Sequence, residues 1–187
     1  MEEKIKILGV VGSLRKNSYN KTLMKTAIEL TPPDAEIEVF DLEGFPAFNQ
    51  DLENDPAPIV KDFKRKIGAA DALLFATPEY NYSVPGVLKN AIDCASRPHG
   101  DNPFSGKPVA IMSASSGRLG GARAEYHLRQ TCVYLNMHPV NVPEVMLPQA
   151  QNHIDANGNL TNKETRALIK QLLEELVKWT RQLKAKP

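Results

Sequence analysis

Cysteine is scarce in this chain: two among 187 residues, Cys94 and Cys132. They stand far apart, with no Cys-x-x-Cys spacing and no histidine pattern beside them, which argues against a disulfide scaffold and against zinc. An excess of one charge is missing too. The net charge is +1, so neither nucleic acid nor an anionic membrane is indicated as a partner. No apolar run is long enough to span a bilayer. The opening Met1-Glu2-Glu3-Lys4 carries acids and runs straight into an apolar strand pattern, so no signal peptide is read and the cytoplasm is the expected location. Two familiar phosphate loops are absent. Gly-x-x-x-x-Gly-Lys-Ser/Thr does not occur, which speaks against a P-loop nucleotidase. Gly-x-Gly-x-x-Gly does not occur either: Gly9 and Gly12 are three apart, and the next turn lacks the glycine that packs helix on strand in a dinucleotide fold. There is no internal repeat and no sign of a second domain, so residues 1–187 are expected to form one domain, large enough for a real core.

What is present is an alternation of strand and helix patterns. Apolar residues are 42% and charged residues 24% of the chain, a globular balance. Strands are expected at residues 5–11, 36–40, 72–76, 109–112 and, at the sheet edge because Pro143 interrupts it, 140–145. Helical stripes lie between them, which implies βαβ units and a parallel sheet. The first helix carries Leu23, Met24, Ala27, Ile28 and Leu30. A second is expected at 59–68. The third carries Val84, Leu88, Ala91, Ile92 and Ala95, with a minor stripe of Val87 and Cys94. The fourth buries Ala124, Leu128, Cys132 and Leu135 and has another face of Tyr126, Val133 and Met137. Two apolar faces on a helix suit either a subunit contact or packing on its neighbours. Thr161-x-x-Glu164 reads as a capping box for a last helix with Leu168, Ile169, Leu172, Leu173, Leu176 and Leu183 inside. Residues 42–58 form a long irregular loop, where Phe45 and Phe48 either line a pocket or tuck into the core. Its Asp51, Glu53 and Asp55 read as a solvated face.

Three loops carry chemistry. After the first strand, Gly12-Ser13-Leu14-Arg15-Lys16-Asn17-Ser18-Tyr19-Asn20 brings hydroxyl, amide and guanidinium donors to a helix start, where backbone N–H groups and the helix dipole favour an anion. A terminal monophosphate suits such a donor-rich loop; the plainer reading is that Ser18 simply caps a helix. After the third strand come Tyr80 and Tyr82 as aromatic surface and Asn81 as an amide. After the fourth, the loop from Ser113 to Gly121 offers glycines that permit close backbone approach. In a flavodoxin-like strand order 2-1-3-4-5 these loops are neighbours at the switch point. A phosphate at one end and a flat polar ring at the other match flavin mononucleotide (FMN).

The run Gly12-Ser13-x-Arg15-x-x-Ser18-x-Asn20, then Pro78-Glu79-Tyr80-Asn81-Tyr82-Ser83-x-Pro85-Gly86-x-Leu88-Lys89-Asn90-Ala91-Ile92-Asp93, then Gly120-Gly121 resembles the NADPH-dependent FMN reductase family, in particular its bacterial NAD(P)H quinone, chromate and azo reductases. The resemblance covers residues 4–148. It implies a flavodoxin-like three-layer sandwich around a five-stranded parallel sheet. It implies that Ser13, Arg15, Ser18 and Asn20 hold the phosphate, that Pro78, Glu79, Tyr80, Asn81 and Tyr82 hold and flank the isoalloxazine, and that Ser115, Ser116 and Gly117 close the pocket. NADPH or NADH would donate electrons, and quinones, chromate, azo compounds or free flavin would accept them in turn at one site. A homodimer or homotetramer is expected. Cys94 stands where the family usually has tryptophan, which bears on substrate preference or the subunit contact; a small packing residue is the favoured reading for it.

No metal site and no catalytic acid or base is assigned, because the flavin carries the chemistry. His99, His127, His138 and His153 are scattered. Glu79, the one carboxylate within a cofactor motif, suits helix capping or loop bracing at least as well as proton transfer. Three other readings remain. A flavodoxin-type electron carrier would be strongly acidic. A dinucleotide-binding dehydrogenase would place Asp41 on a ribose. A flavin-binding module without turnover is the third.

Overall fold

The computed structural model describes residues 3–185. Its centre is three parallel strands, β1 (Ile5–Val11), β3 (Ala72–Thr77) and β4 (Pro108–Ala114). Every residue of β3 and β4 is buried, as befits strands covered on both faces and built around apolar runs. β2 (Ala35–Phe40) pairs with β1 at one edge. Its alternation of charged and apolar residues leaves Glu36, Glu38 and Val39 exposed. β5 (His138–Pro139) and β6 (Val145–Leu147) share the other edge, both pairing with β4. The order 2-1-3-4-5 is the flavodoxin-like one expected.

Helices α1 (Tyr19–Glu29) and α5 (Lys163–Lys184) cover one face. There Leu23, Met24, Ala27, Ile169, Leu172 and Leu173 meet Ile7, Leu74 and Met112. Helices α2 (Pro58–Ala69), α3 (Gly86–Ala95) and α4 (Ala122–Tyr134) cover the other. There Phe63, Ile67, Leu88, Ile92, Leu128 and Cys132 meet Leu8, Val10, Phe75 and Ile111. The neighbours Ile7 and Leu8 point into different cores because strand side chains alternate. Cys132 is fully buried, as its helical spacing predicts.

Four local expectations are corrected. The single edge strand expected at 140–145 is two short pieces. Val140 still donates to the Val109 carbonyl, but residues 141–144 leave the ladder around Pro143, which has no N–H to give it. The last helix is capped by Asn162, whose Oδ1 accepts from the Thr165 N–H at 2.8 Å. Thr161 instead donates its hydroxyl to the His153 carbonyl, so the cap lies one residue later than the Thr-x-x-Glu pattern suggests. Met137 is buried, not part of an outer face: α4 stops at Tyr134 and Asn136 turns left-handed (φ 57°), sending the chain inward. Ile28, assigned to the buried stripe of α1, is exposed. The two phenylalanines of the long loop divide: Phe45 meets the Phe63 ring edge-on at 5.7 Å, while Phe48 is 37% exposed. Among the described residues, no helix is long and apolar enough to cross a membrane.

Candidate active site

The loops after β1, β3 and β4 meet at the carboxyl edge of the sheet. In the first loop Ser13 and Ser18 are buried. Ser18 is the N-cap of α1, its Oγ accepting from the Asn20 N–H at 3.2 Å. Capping and anion reception are compatible here, since both use the positive end of one helix. Gly12 is required by contact: a Cβ on it would meet Leu88 Cδ2 at 3.0 Å and Pro78 Cδ at 3.4 Å. The loop is thereby pressed against α3 and the third-strand loop. Arg15 reaches outward. Its guanidinium donates to the Asn17 carbonyl at 2.7 Å and lies 5.4 Å from the Tyr19 ring centroid. It makes no ion pair with a carboxylate among the described residues, so its charge is available to an anion.

Asn20 faces inward. Its Nδ2 donates to the Ala114 carbonyl and its Oδ1 accepts from the Ala114 N–H, both at 3.0 Å and both buried. The amide therefore ties the start of α1 to the end of β4 across 94 positions of sequence.

The third-strand loop is a tight hairpin. Tyr80 and Ser83 exchange backbone hydrogen bonds of 3.1 and 3.0 Å. Asn81 and Tyr82 between them are both left-handed, with φ of 49° and 66°. Tyr80 and Tyr82 present exposed rings, and the Tyr80 hydroxyl lies 3.3 Å from Ser13 Oγ, joining the first loop to the third. Glu79 is spent on α4: Oε2 accepts from the Arg123 N–H at 3.0 Å and Oε1 from the Arg123 guanidinium at 2.7 Å. These two contacts cap and brace the start of α4. Arg123 in turn lies 3.7 Å from the Tyr82 ring centroid.

In the fourth-strand loop, Ser115 Oγ accepts from the Gly117 N–H at 3.0 Å, and Ser116 and Gly117 are exposed. Gly120 and Gly121 are left-handed, but their freedom serves the fold. A Cβ on Gly120 would meet the Met146 carbonyl carbon at 2.9 Å, and one on Gly121 would meet Ser113 Cβ at 2.8 Å. They let the start of α4 press on β4 and β6. Gly117, by contrast, meets only its neighbour Ser115 Oγ, at 3.4 Å.

Between the loops lies a cavity of about 100 Å³. Nine residues expected from the sequence line it: Ser13, Arg15, Ser18, Asn20, Pro78, Glu79, Tyr80, Ser115 and Ser116. Asn81, Tyr82 and Gly117 do not, and all three are exposed. Tyr19 and Ala114 also line it and were not anticipated. Hydroxyls, a guanidinium with no carboxylate partner among the described residues and a helix N-terminus in a space of this size suit a phosphate, and the exposed aromatic hairpin beside it suits a flat ring. The donor set therefore fits FMN.

Two further charged residues escaped the sequence reading, Arg123 and Glu125. Glu125 is fully buried behind the fourth-strand loop, its carboxylate 3.4 Å from Ser113 Oγ and 3.3 Å from the Arg129 guanidinium. Burial pushes its pKa up to about 7, against the pull of Arg129. Arg129 goes on to the Val140 carbonyl and Asn141 Oδ1, tying α4 to the break in the edge strand. Nothing in the local pattern announces either residue, because each is defined by what another segment places beside it.

Comparison with known proteins agrees with this geometry. The profile of the NADPH-dependent FMN reductase family matches residues 5–152. An NAD(P)H-dependent FMN reductase of Pseudomonas aeruginosa is 55% identical over 185 residues, covering 98% of this chain and 100% of its own. A 2-hydroxy-1,4-benzoquinone reductase of a Burkholderia species is 43% identical, covering 95% of this chain and 97% of its own. Among solved structures, FerB, a flavoenzyme NAD(P)H:(acceptor) oxidoreductase from Paracoccus denitrificans, superimposes with a TM-score of 0.87 at 34% identity, covering 95% of this chain and 98% of that one. The loops that meet at the sheet edge and the match across nearly the whole chain lead to one assignment: this chain belongs to the NADPH-dependent FMN reductase family.

Proposed function

We propose that residues 1–187 form one flavodoxin-like FMN-binding reductase domain that passes electrons from NADPH or NADH to quinones or similar small acceptors. The observation that carries this reading is the convergence of an anion-receiving loop and an aromatic hairpin at the ends of β1 and β3, joined by the Ser13–Tyr80 contact. Bound FMN would supply two-electron chemistry, taking a hydride from the nicotinamide and returning electrons to the acceptor. The protein's own groups bind and orient. Ser13, Ser18 and Arg15 receive the phosphate at the α1 N-terminus. Asn20 holds that terminus against β4. Pro78, Glu79, Tyr80, Asn81 and Tyr82 form the ring side, with Glu79 acting through Arg123, and Ser115, Ser116 and Gly117 close the opposite side.

One site serving donor and acceptor in turn implies a ping-pong mechanism. The test is steady-state NADPH oxidation with a benzoquinone on protein that is yellow as purified and releases FMN on denaturation. Parallel double-reciprocal plots at several quinone concentrations are expected. Intersecting lines would mean a separate nicotinamide site, and colourless protein with no affinity for FMN would overturn the reading.

The acting form is a homodimer or homotetramer in the cytoplasm. Tyr126, Val133 and Tyr134 leave apolar surface exposed on α4, 78% of Val133 among it. Beside them runs a groove of about 750 Å³ between α3 and α4 that includes Tyr134 and Phe48. Clustered exposed apolar side chains of this kind are characteristic of contact surfaces.

A further inference from the structure

The hairpin from Tyr80 to Ser83 is poorly supported by its own sequence. Asn81 tolerates a left-handed backbone, but Tyr82 beside it carries a bulky side chain in the same region, an arrangement that persists only where the surroundings impose it. The surroundings in question come from one helix. Arg123 stacks on the Tyr82 ring at 3.7 Å, its guanidinium oriented by Glu79. One turn further along α4, His127 Nδ1 lies 3.0 Å from Ser83 Oγ. Positions i and i+4 face the same way on a helix, so both ties reach the hairpin from a single face. Neither residue lines the cavity.

We propose that Arg123 and His127 are positioning residues, which hold Tyr82 and Ser83 so that the hairpin stands ready for the flavin ring. The inference rests on the reading that the ring lies against this hairpin. A site competent only part of the time binds more weakly in proportion to the fraction that is competent. Loosening one tie lowers that fraction without removing any group that touches the ligand. The consequence has a signature. Because Tyr82 and Ser83, the two residues the ties hold, stand outside the cavity that suits the phosphate, losing a tie weakens FMN and riboflavin by the same factor.

The experiment titrates FMN and riboflavin into flavin-free wild type, His127→Leu, His127→Asn, Ser83→Ala and the Ser83→Ala/His127→Leu double variant, read by flavin fluorescence. The unfolding midpoint of each variant is measured alongside. His127→Leu and Ser83→Ala should each weaken both flavins about threefold to tenfold, the worth of one neutral hydrogen bond. His127→Asn, whose amide reaches as far as Nδ1, should bind nearly as wild type does. The double variant should be no worse than either single one, since both delete the same contact. Arg123→Met should likewise weaken FMN and riboflavin by the same factor, because Arg123 touches the Tyr82 ring and does not line the cavity. Additive losses, a loss confined to FMN, or unchanged affinity in His127→Leu would overturn the proposal. If His127→Leu does not fold, Ser83→Ala with His127→Asn decides: a threefold or greater loss in Ser83→Ala for both flavins supports the proposal and no loss overturns it. Wild-type protein that binds neither flavin would instead refute the functional reading, so the two failures are distinguishable.

Discussion

Asn20→Ala removes the amide that bridges α1 and β4, and the structure sets the size of the effect. Asn20 and Ala114 are each 1% exposed. The substitution deletes two buried hydrogen bonds of 3.0 Å and takes the amide from both polar groups of the Ala114 backbone. A buried backbone group left without its partner costs about 1–3 kcal/mol. Two of them, partly relieved if water enters the space, give a loss of about 2–5 kcal/mol, a large share of a typical stability of about 5–15 kcal/mol. For a chain of this size that lowers the thermal midpoint by roughly 5–15 °C. The assay is urea unfolding of the flavin-free protein, followed by far-ultraviolet circular dichroism. The midpoint should fall with an unchanged slope, because the surface exposed on unfolding is the same. A loss below about 1 kcal/mol, in the lower part of the range for an ordinary hydrogen bond, would refute the reasoning. Should FMN affinity collapse while the flavin-free stability held, the amide's main work would be on the phosphate and not on Ala114.

Arg15→Ala should weaken FMN binding roughly 10- to 100-fold, the worth of a charge-assisted hydrogen bond, and riboflavin far less; wild-type FMN affinity should fall with added salt more steeply than the variant's. Titration of both flavins at two salt concentrations checks this, and equal losses for the two would mean that Arg15 acts by shaping the loop through the Asn17 carbonyl. Glu125 has its pKa raised by burial from 4.5 to about 7, so the folded state holds that proton more tightly than the unfolded one. Its contribution is full below about pH 4.5 and is lost as pH rises through about 7, by at most about 3 kcal/mol. Glu125→Gln should remove that part of the slope, seen as a wild-type-minus-variant stability difference that changes between pH 5 and pH 8; parallel curves would contradict it. Val133→Asp with Tyr134→Asp should shift sedimentation toward monomer, and wild type that sediments as a fully active monomer would sink the assembly proposal.

Much of this molecule is local and therefore legible in its residues. Runs such as residues 72–76 of β3 and 109–112 of β4 are apolar throughout because both faces are covered, and that needs no partner to be recognised. The helical stripes of α4 and α5, the serine that caps α1 and the loops that end β1, β3 and β4 are contiguous patterns, so a parallel α/β class could be read from them, and the motifs in those loops carry the resemblance to the family. What the tertiary structure alone decided is where one segment constrains another. Asn20 was legible as a polar donor in the first loop, but its bond to Ala114 depends on residues 94 positions away. Glu79 reads as a carboxylate in a cofactor motif until Arg123 is seen to take both of its oxygens. Gly120 and Gly121 read as room for a ligand, whereas the backbone of β6 and the side chain of Ser113 fill the space a Cβ would need. The edge strand splits because Pro143 cannot join a ladder whose course only the folded sheet defines. Burial pushes the Glu125 pKa up to about 7, and how much water a side chain loses on folding is a property of the packed core, not of the residue or its neighbours in the chain.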